Sequence, residues 1–370
     1  MFAPSSSASG PFKPPKPCEK YWHNLNTLEK FMSHRLNKID PEDIRMFSGS
    51  SNPKLARKIA NYMEVPLLPT LIRRFSNDNL YVQLGESVRG RVVVIVQSFS
   101  PPVNDHIMEL FMMLDAARGA GAREIHAIIP YYSFARSDKK DAPRISITGR
   151  LIAKLLGEAG ATHVVTMTLH SAQVHGFFDM PTDHLTSRPV LVDYFRKQDL
   201  SSTIVVSPDA GHALAATKLA EHLQLPMAAG SKERLSDSSV VIGGLIGNVK
   251  GYQKAIIIDD EIAAGSSVVG IGKLLIEHGV EELIAACTHG VFCGNAFERL
   301  AAMPQFTKIV STDTVPIPKK KRPENLKVLS VAPLFAEAIK NNYLSRGIGD
   351  LFAFWKDFKR AEEEDGQDSE

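Results

Sequence analysis

The sequence predicts an α/β protein of two domains, each built on a mostly parallel sheet. Three observations carry that reading. Short apolar runs recur without polar alternation, helical stretches separate them, and the series starts again in the second half. A strand that is apolar throughout is buried on both faces, as in a parallel sheet covered by helices. A length of 370 residues is also enough for about two domains.

The elements follow in order. Residues 1–19 are rich in Pro and Ser and read as a disordered tail, with a short helix over 21–35. RVVVIVQ at 91–97 reads as a buried strand, and 105–121 as a helix with a Gly stop. EIHAIIP at 124–130 is a second strand, 145–160 a second helix, and HVVTMTL at 163–169 a third strand. The pattern restarts past a boundary near 188–192. Strands are expected at 203–207, 254–260, 282–287, 308–312 and 327–331, and helices at 211–223 and 266–279. The run KKKR at 319–322 reads as a solvated loop, and 361–370 as an acidic tail.

Composition narrows the function. The chain is 44% hydrophobic and 23% charged, with a net charge of only +2. That balance gives no hint of the strongly basic face usual in a nucleic-acid binder, and leaves a local patch open. No run approaches the apolar length of a membrane span. The cysteines are Cys18, Cys287 and Cys293, an odd count in no zinc spacing. A reducing compartment follows, and the cytoplasm is the expected location. The acid-poor N-terminal stretch leaves an organelle address open.

Four segments bear chemistry. The strand at 254–260 delivers Asp259 and Asp260 to its carboxyl end, where open parallel sheets bind ligands. Paired carboxylates there suit two adjacent sugar hydroxyls, directly or through Mg²⁺. Ala263, Ala264, Gly265, Ser266 and Ser267 then open a helix, whose backbone N–H groups suit a phosphate. An ordinary strand-to-helix turn with a serine cap explains the same residues equally well. The spacing is not that of a P-loop. YYSFARSDKK at 131–140 offers aromatic rings for a base and Arg136 for phosphate oxygens, or else a solvated basic loop. His170 ends one strand and Asp209 follows another; the histidine suits a metal, an anion or a structural role. GSKERLSDSS at 230–239 is polar and cation-bearing, and suits a mobile flap.

Taken in order, MFSGSSNPKLARKIA, RRFSND, ESVRG, NDHIMEL, PYYSFARSDKK, LHSAQVHGFFDMPTD, SPDAG, SKER, IIIDD, THGVFCG and GIGDLF resemble the ribose-phosphate pyrophosphokinase family. The resemblance runs from about residue 46 to 352. It implies two tandem phosphoribosyltransferase-type domains, at 45–189 and 190–331, with 332–352 packing back on the first. An extension (1–44) and an acidic tail (353–370) flank them. It implies transfer of the diphosphoryl group of ATP to O1 of ribose 5-phosphate, with Mg²⁺ as cofactor. The assembly implied is a homo-oligomer, dimers building a hexamer.

The family's roles map onto matching positions. Phe75, Asn77 and Asn79 match a segment that reaches the adenine of ATP on a neighbouring subunit. Arg136 and Ser137 match the nucleotide-contacting pair. His170 matches a histidine near the ATP phosphates and Mg²⁺, and Asp209 a metal- and ribose-associated aspartate. Lys232 and Arg234 match flap cations that stabilise the transferring group. Asp259 and Asp260 match the ribose-hydroxyl pair, and 263–267 the 5-phosphate loop.

Several positions depart from the family pattern. Thr168 stands for an aspartate, Asn79 for a glutamate and Ser137 for a glutamine. The loop reads AAGSS where DTGGT is usual, and His212 and Ala213 follow SPDAG in place of a second Gly and another small or basic residue. Arg89, Lys140 and Arg144 of the regulatory anion site remain. Ala172, His184 and Asp350 replace residues that support that site, so weak or absent phosphate activation is expected. The departures keep a second reading open, a catalytically inactive subunit that joins active ones. A phosphoribosyltransferase is a third reading, opposed by the tandem domains and the SKER flap.

Overall fold

The computed structural model describes residues 39–236 and 239–351, without the side chains of 232–243 and 350. The expected N-terminal helix and both tails fall outside the described residues.

The chain enters through β1 (Ile44–Ser48), α1 (Pro53–Met63) and the short β2 (Leu67–Leu68). Asn52 starts α1 by accepting the Leu55 backbone N–H, with Pro53 in the first turn. A hairpin follows, β3 (Thr70–Arg74) and β4 (Leu80–Leu84). Next come β5 (Val92–Val96), α2 (Val103–Gly119), β6 (Glu124–Ile129), α3 (Thr148–Ala159), β7 (His163–Met167) and β8 (Thr182–Leu185). The six-stranded sheet has the order β2-β1-β5-β6-β7-β8, parallel throughout. Its central strand β5, Val-Val-Val-Ile-Val, is buried along its whole length. Phe47, Ile95, Leu110, Met113 and Leu156 fill the core on one face.

Helix α4 (Arg188–Phe195) leads into the second sheet. Its elements are β9 (Thr203–Ser207), α5 (Ala213–Leu223), β10 (Met227–Ser236), β11 (Ser239–Ile246) and β12 (Lys254–Ile262). Then follow α6 (Ser266–Glu277), β13 (Glu282–Gly290), α7 (Ala296–Ala301), β14 (Phe306–Thr312) and β15 (Leu326–Leu329). The order is β11-β10-β9-β12-β13-β14-β15, parallel except for the β10–β11 pair. Ile257, Ile271, Leu275, Leu283 and Phe306 pack on one face, and Phe195, Leu219 and Ile256 on the other. The last α-helix of the described residues, α8 (Ala332–Tyr343), returns to the first sheet. There Asn342 donates to Asp183 at 2.6 Å and the Tyr343 hydroxyl to Asp43 at 3.2 Å.

The two sheets meet at the carboxyl ends of their strands, through polar contacts. The Ser98 hydroxyl, past β5, donates to the Thr314 carbonyl at 2.6 Å. Asn52 donates to the Asp313 carbonyl at 2.7 Å, and Lys58 pairs with the Asp313 carboxylate at 2.7 Å. Ser187 and Thr288 share a hydrogen bond of 2.7 Å. This seam brings the ligand-binding edges of both sheets to one place.

Two hairpins were not expected as strands. In β3–β4 polar and apolar residues mix on a partly exposed ribbon, so no unbroken apolar run marks it. The segment read as a flap is the outer part of β10, paired with β11 through Lys232↔Ile242 and Arg234↔Val240.

Candidate active site

Strand β12 builds one wall of the site by outrunning its neighbour. It pairs with β9 only as far as Ile257, while its pairing with β13 continues to Ile262↔Gly290. Past Ile257 the β9 side of the strand is open, and Asp259, Asp260 and Glu261 stand there. They line a cleft of about 170 Å³ together with Arg136, His170, Asp209, His212 and 263–268. A smaller cavity of about 70 Å³ touches the same two aspartates from the side of Thr168 and Arg188.

The turn after β12 is made for a close backbone approach. Gly265 has φ 76°, the left-handed region that favours glycine, and α6 begins at the next residue. No side chain caps this helix, so its first-turn N–H groups face the cleft without a side-chain acceptor. The loop is anchored from behind: the Cys293 N–H donates to the Ala263 carbonyl at 2.9 Å, and Arg299 to the Ala264 carbonyl at 3.3 Å.

Beside the loop lies a corner of histidines and aspartates. His170 Nδ1 is 2.8 Å from Asp260 Oδ2. His212 Nε2 is 3.3 Å from Asp260 Oδ1, and its Nδ1 is 3.2 Å from Asp209 Oδ1. The His212 backbone N–H also donates to Asp209, at 3.1 Å. The two imidazole rings have centroids 4.8 Å apart. Among the described residues, His170, His212 and Asp260 present ligand atoms within 4.8 Å of one another, a group able to hold a divalent ion.

Charge is shared unevenly in this corner. The hydrogen bond to Asp209 pushes His212 up to about 9 against the pull of burial, and Asp260 and Asp259 add to the rise. Burial opposes ionisation of Asp260, yet His170, the Asp259 contact and His212 hold it below the usual carboxylate range. Burial first, and the charge of Asp260 second, push Asp259 well above that range. The corner therefore favours an Asp260 anion and an imidazolium at His212.

The first sheet supplies the opposite wall. Tyr131 donates to Glu261 at 2.9 Å, and the Arg136 guanidinium pairs with the same carboxylate at 3.4 Å. Burial raises Glu261 despite that cation. The approach to His170 is clamped from two sides. Buried His289 places Nε2 3.2 Å from the Met167 carbonyl and 3.0 Å from the Thr168 carbonyl. His184 accepts the Leu169 N–H at 2.8 Å. Burial pulls both histidines down to about 4, so they are neutral. Between them Thr168 takes φ 43°, which is strained for a β-branched residue. Its Oγ1 is buried without a hydrogen-bond partner among the described residues.

The structure gathers many of the expected residues and separates others. Arg136, His170, Asp209, Asp259, Asp260, Ala263, Ala264, Gly265, Ser266 and Ser267 line one cleft. Asp209 is not in the converging ligand group; it stands behind His212. Ser137 organises its own loop, accepting the Thr148 N–H at 3.2 Å. Phe75, Asn77 and Asn79 form the tip of the β3–β4 hairpin, outside this chain's cleft, with Phe75 54% exposed. Lys232 and Arg234 lie on the outer part of β10. Arg89 sits beside Gly121, where β5 and β6 begin, whereas Lys140 and Arg144 follow β6 at the other edge. One copy of the chain does not bring those three together.

Sequence reasoning treated His212 only as a departure, and overlooked Glu261 and His289. Glu261 had a visible signal, since it continues the Asp-Asp run past the strand's buried part. His289 had none, because the Met167 and Thr168 carbonyls that it reaches lie at the end of β7 in the other sheet.

Facing parallel sheets, paired carboxylates and a backbone loop opening a helix define a protein of two phosphoribosyltransferase-type α/β domains. A profile described as the N-terminal domain of ribose phosphate pyrophosphokinase matches residues 44–160, and one described as the phosphoribosyl synthetase-associated domain matches 242–353. A ribose-phosphate pyrophosphokinase of Deinococcus radiodurans is 48% identical over 312 residues, covering 83% of this chain and 97% of the relative. One from Caldanaerobacter subterraneus is 43% identical over 310 residues, covering 84% and 98%. The crystal structure of phosphoribosylpyrophosphate synthetase from Mycobacterium smegmatis matches with a TM-score of 0.75 at 37% identity, covering 81% of this chain and 99% of that one. The chain belongs to the ribose-phosphate pyrophosphokinase family.

Proposed function

We propose that the chain transfers the diphosphoryl group of ATP to O1 of D-ribose 5-phosphate, giving 5-phospho-α-D-ribose 1-diphosphate and AMP. One observation carries this reading: a carboxylate pair, an uncapped helix start, an arginine and a cation-holding corner share one cleft. In this reading the first-turn N–H groups of α6 hold the 5-phosphate. Asp259 and Asp260 take the ribose hydroxyls, so O1 lies toward Arg136 and His170. O1 loses its proton and forms a bond to the β-phosphorus as the bridge to the α-phosphate breaks; AMP leaves with the electron pair and the proton passes to solvent.

The donor set fits a divalent cation, and Mg²⁺ carried with ATP would be held by His170 and Asp260, with His212 and Asp209 beside them. When bound, the ion offsets phosphate charge. Arg136 supplies fixed positive charge to the nucleotide, and Lys232 and Arg234 follow the group in transit from the β10–β11 hairpin. Alignment does most of the work, so no covalent nucleophile is needed.

The hairpin carrying Phe75, Asn77 and Asn79 reaches the adenine of a neighbouring copy, in a homo-oligomer of dimers that builds a hexamer. The exposed Phe75 ring supports this. Arg89, Lys140 and Arg144 form an anion site only where copies meet, and inorganic phosphate activates weakly or not at all. The working compartment is the cytoplasm, and neither membrane nor nucleic acid is a partner. No helix of the described residues is long and apolar enough to cross a membrane.

The test is incubation with ATP, Mg²⁺ and ribose 5-phosphate, followed by product analysis. Equal amounts of AMP and phosphoribosyl diphosphate are expected. Absence of both, with co-assembly onto an active synthetase, favours instead the inactive associated subunit, which Thr168 and the AAGSS loop support. Lys232→Ala should lower turnover by about 100-fold with folding intact; unchanged turnover would remove the flap assignment.

A further inference from the structure

The histidine–aspartate corner holds more nitrogen than a site for Mg²⁺ needs. We infer that His212 makes it a two-imidazole, one-carboxylate site, selective for ions of the Mn²⁺, Co²⁺ and Zn²⁺ kind over Mg²⁺. Each imidazole offers the nitrogen that faces Asp260. His170 Nδ1 and Asp260 Oδ2 are 2.8 Å apart, and His212 Nε2 and Asp260 Oδ1 are 3.3 Å apart. Two ligands held about 2.1 Å from one ion at right angles are themselves about 3 Å apart. These contacts are a hydrogen bond and an ion pair, and their lengths match the edges of a coordination polyhedron that an ion completes by displacing the imidazole protons; the group spans only 4.8 Å in all.

The orientation of His212 is a second, independent observation. Its Nδ1 is 3.2 Å from Asp209 Oδ1, and its backbone N–H donates to the same oxygen at 3.1 Å. A carboxylate behind one ring nitrogen fixes the tautomer and aims the other nitrogen at the ion, the usual support of a metal-binding histidine. The first turn before α5 builds this support locally, since Asp209 caps the short helical turn Ala210–His212. Mg²⁺ prefers oxygen ligands and gains little from a second imidazole, whereas borderline divalent ions gain from each one. His212 therefore acts on the choice of metal, beyond the placing of phosphates.

The inference rests on the proposed activity for the use of the ion, but its test does not. The full chain, without nucleotide or sugar, is titrated with Co²⁺ by visible absorption, and with Mg²⁺ in competition. Co²⁺ should bind at least about 10-fold more tightly than Mg²⁺. The Mn²⁺-loaded chain should show coupling to two imidazole nitrogens in pulsed electron paramagnetic resonance. His212→Gln should weaken Co²⁺ at least about 10-fold, with Mg²⁺ changed less than about 3-fold. Coupling to one nitrogen only, or equal losses for both metals, overturns the inference. Circular dichroism checks that the variant folds; if it does not, the nitrogen count in the parent chain decides. A two-nitrogen site in a chain that makes no AMP overturns the proposed activity alone. A one-nitrogen site in an active chain overturns the inference alone.

Discussion

The loop 263–267 and the histidine–aspartate corner line the same cleft. The loop is built from backbone. Its useful donors are the N–H groups of an uncapped helix start, and its shape depends on one glycine at φ 76°. The corner is built from side chains on separate elements: His170 after β7, His212 before α5, and Asp260 on β12. A backbone site tolerates new side chains while its turn survives, so on the proposed reading AAGSS serves where DTGGT is usual. A side-chain site has no such slack, because each charged atom balances another.

Four changes probe that contrast. The largest effect belongs to Asp260→Asn, which removes the anion that both imidazoles face. Synthesis should fall about 1,000-fold, on the order of 4 kcal/mol in the barrier, measured as kcat/KM for ribose 5-phosphate. A loss below 10-fold would mean that the corner is not built on Asp260.

Acid comes next. His289 titrates near 4 in the folded chain and near 6.5 when unfolded. Between those values the unfolded chain binds the extra proton, so stability falls as pH drops from 6.5 toward 4. Above 6.5 this contribution is fully present and flat. The loss approaches about 3 kcal/mol for His289. Urea midpoints taken across that range should show it, and His289→Gln should flatten the slope. The loop holds no group that titrates there, whereas the clamp on 167–170 does.

Arg136→Ala should be milder. It removes the partner of Glu261 and, on the proposed reading, a cation for ATP, at about 2 kcal/mol, or about 30-fold in KM for ATP. A change confined to KM for ribose 5-phosphate would move Arg136 to the sugar side. Gly265→Ala should be smallest. A Cβ meets Ala296 at ordinary van der Waals distance, 3.7 Å or more, so the cost is the backbone conformation, about 1–2 kcal/mol. KM for ribose 5-phosphate should rise up to about 10-fold with KM for ATP unchanged. Ser267→Gly, by contrast, should leave the turn in place.

Much of this was legible in the residues. The strand at 203–207 and the start of β12 at Lys254 fall where apolar runs place them. The carboxylate pair, the loop and His170 were visible as strand-end residues. The hairpins were not, because β3–β4 mixes polar and apolar residues and the outer part of β10 is polar. The role of His212 was also hidden. Its partners are Asp209, three residues earlier, and Asp260, on another strand, and only the first is local.

The sequence by itself determined the alternation of buried strands and helices, and with it which residues end each strand. Burial of apolar runs is a local property that any neighbouring sheet satisfies. Only the tertiary structure decided that the end of β7 meets the ends of β12 and β13. That meeting depends on His289 reaching the Met167 and Thr168 carbonyls and on His170 reaching Asp260, contacts 122, 121 and 90 residues apart along the chain. Hydrogen bonds over such distances leave no periodicity to read, and they turn separate strand ends into one site.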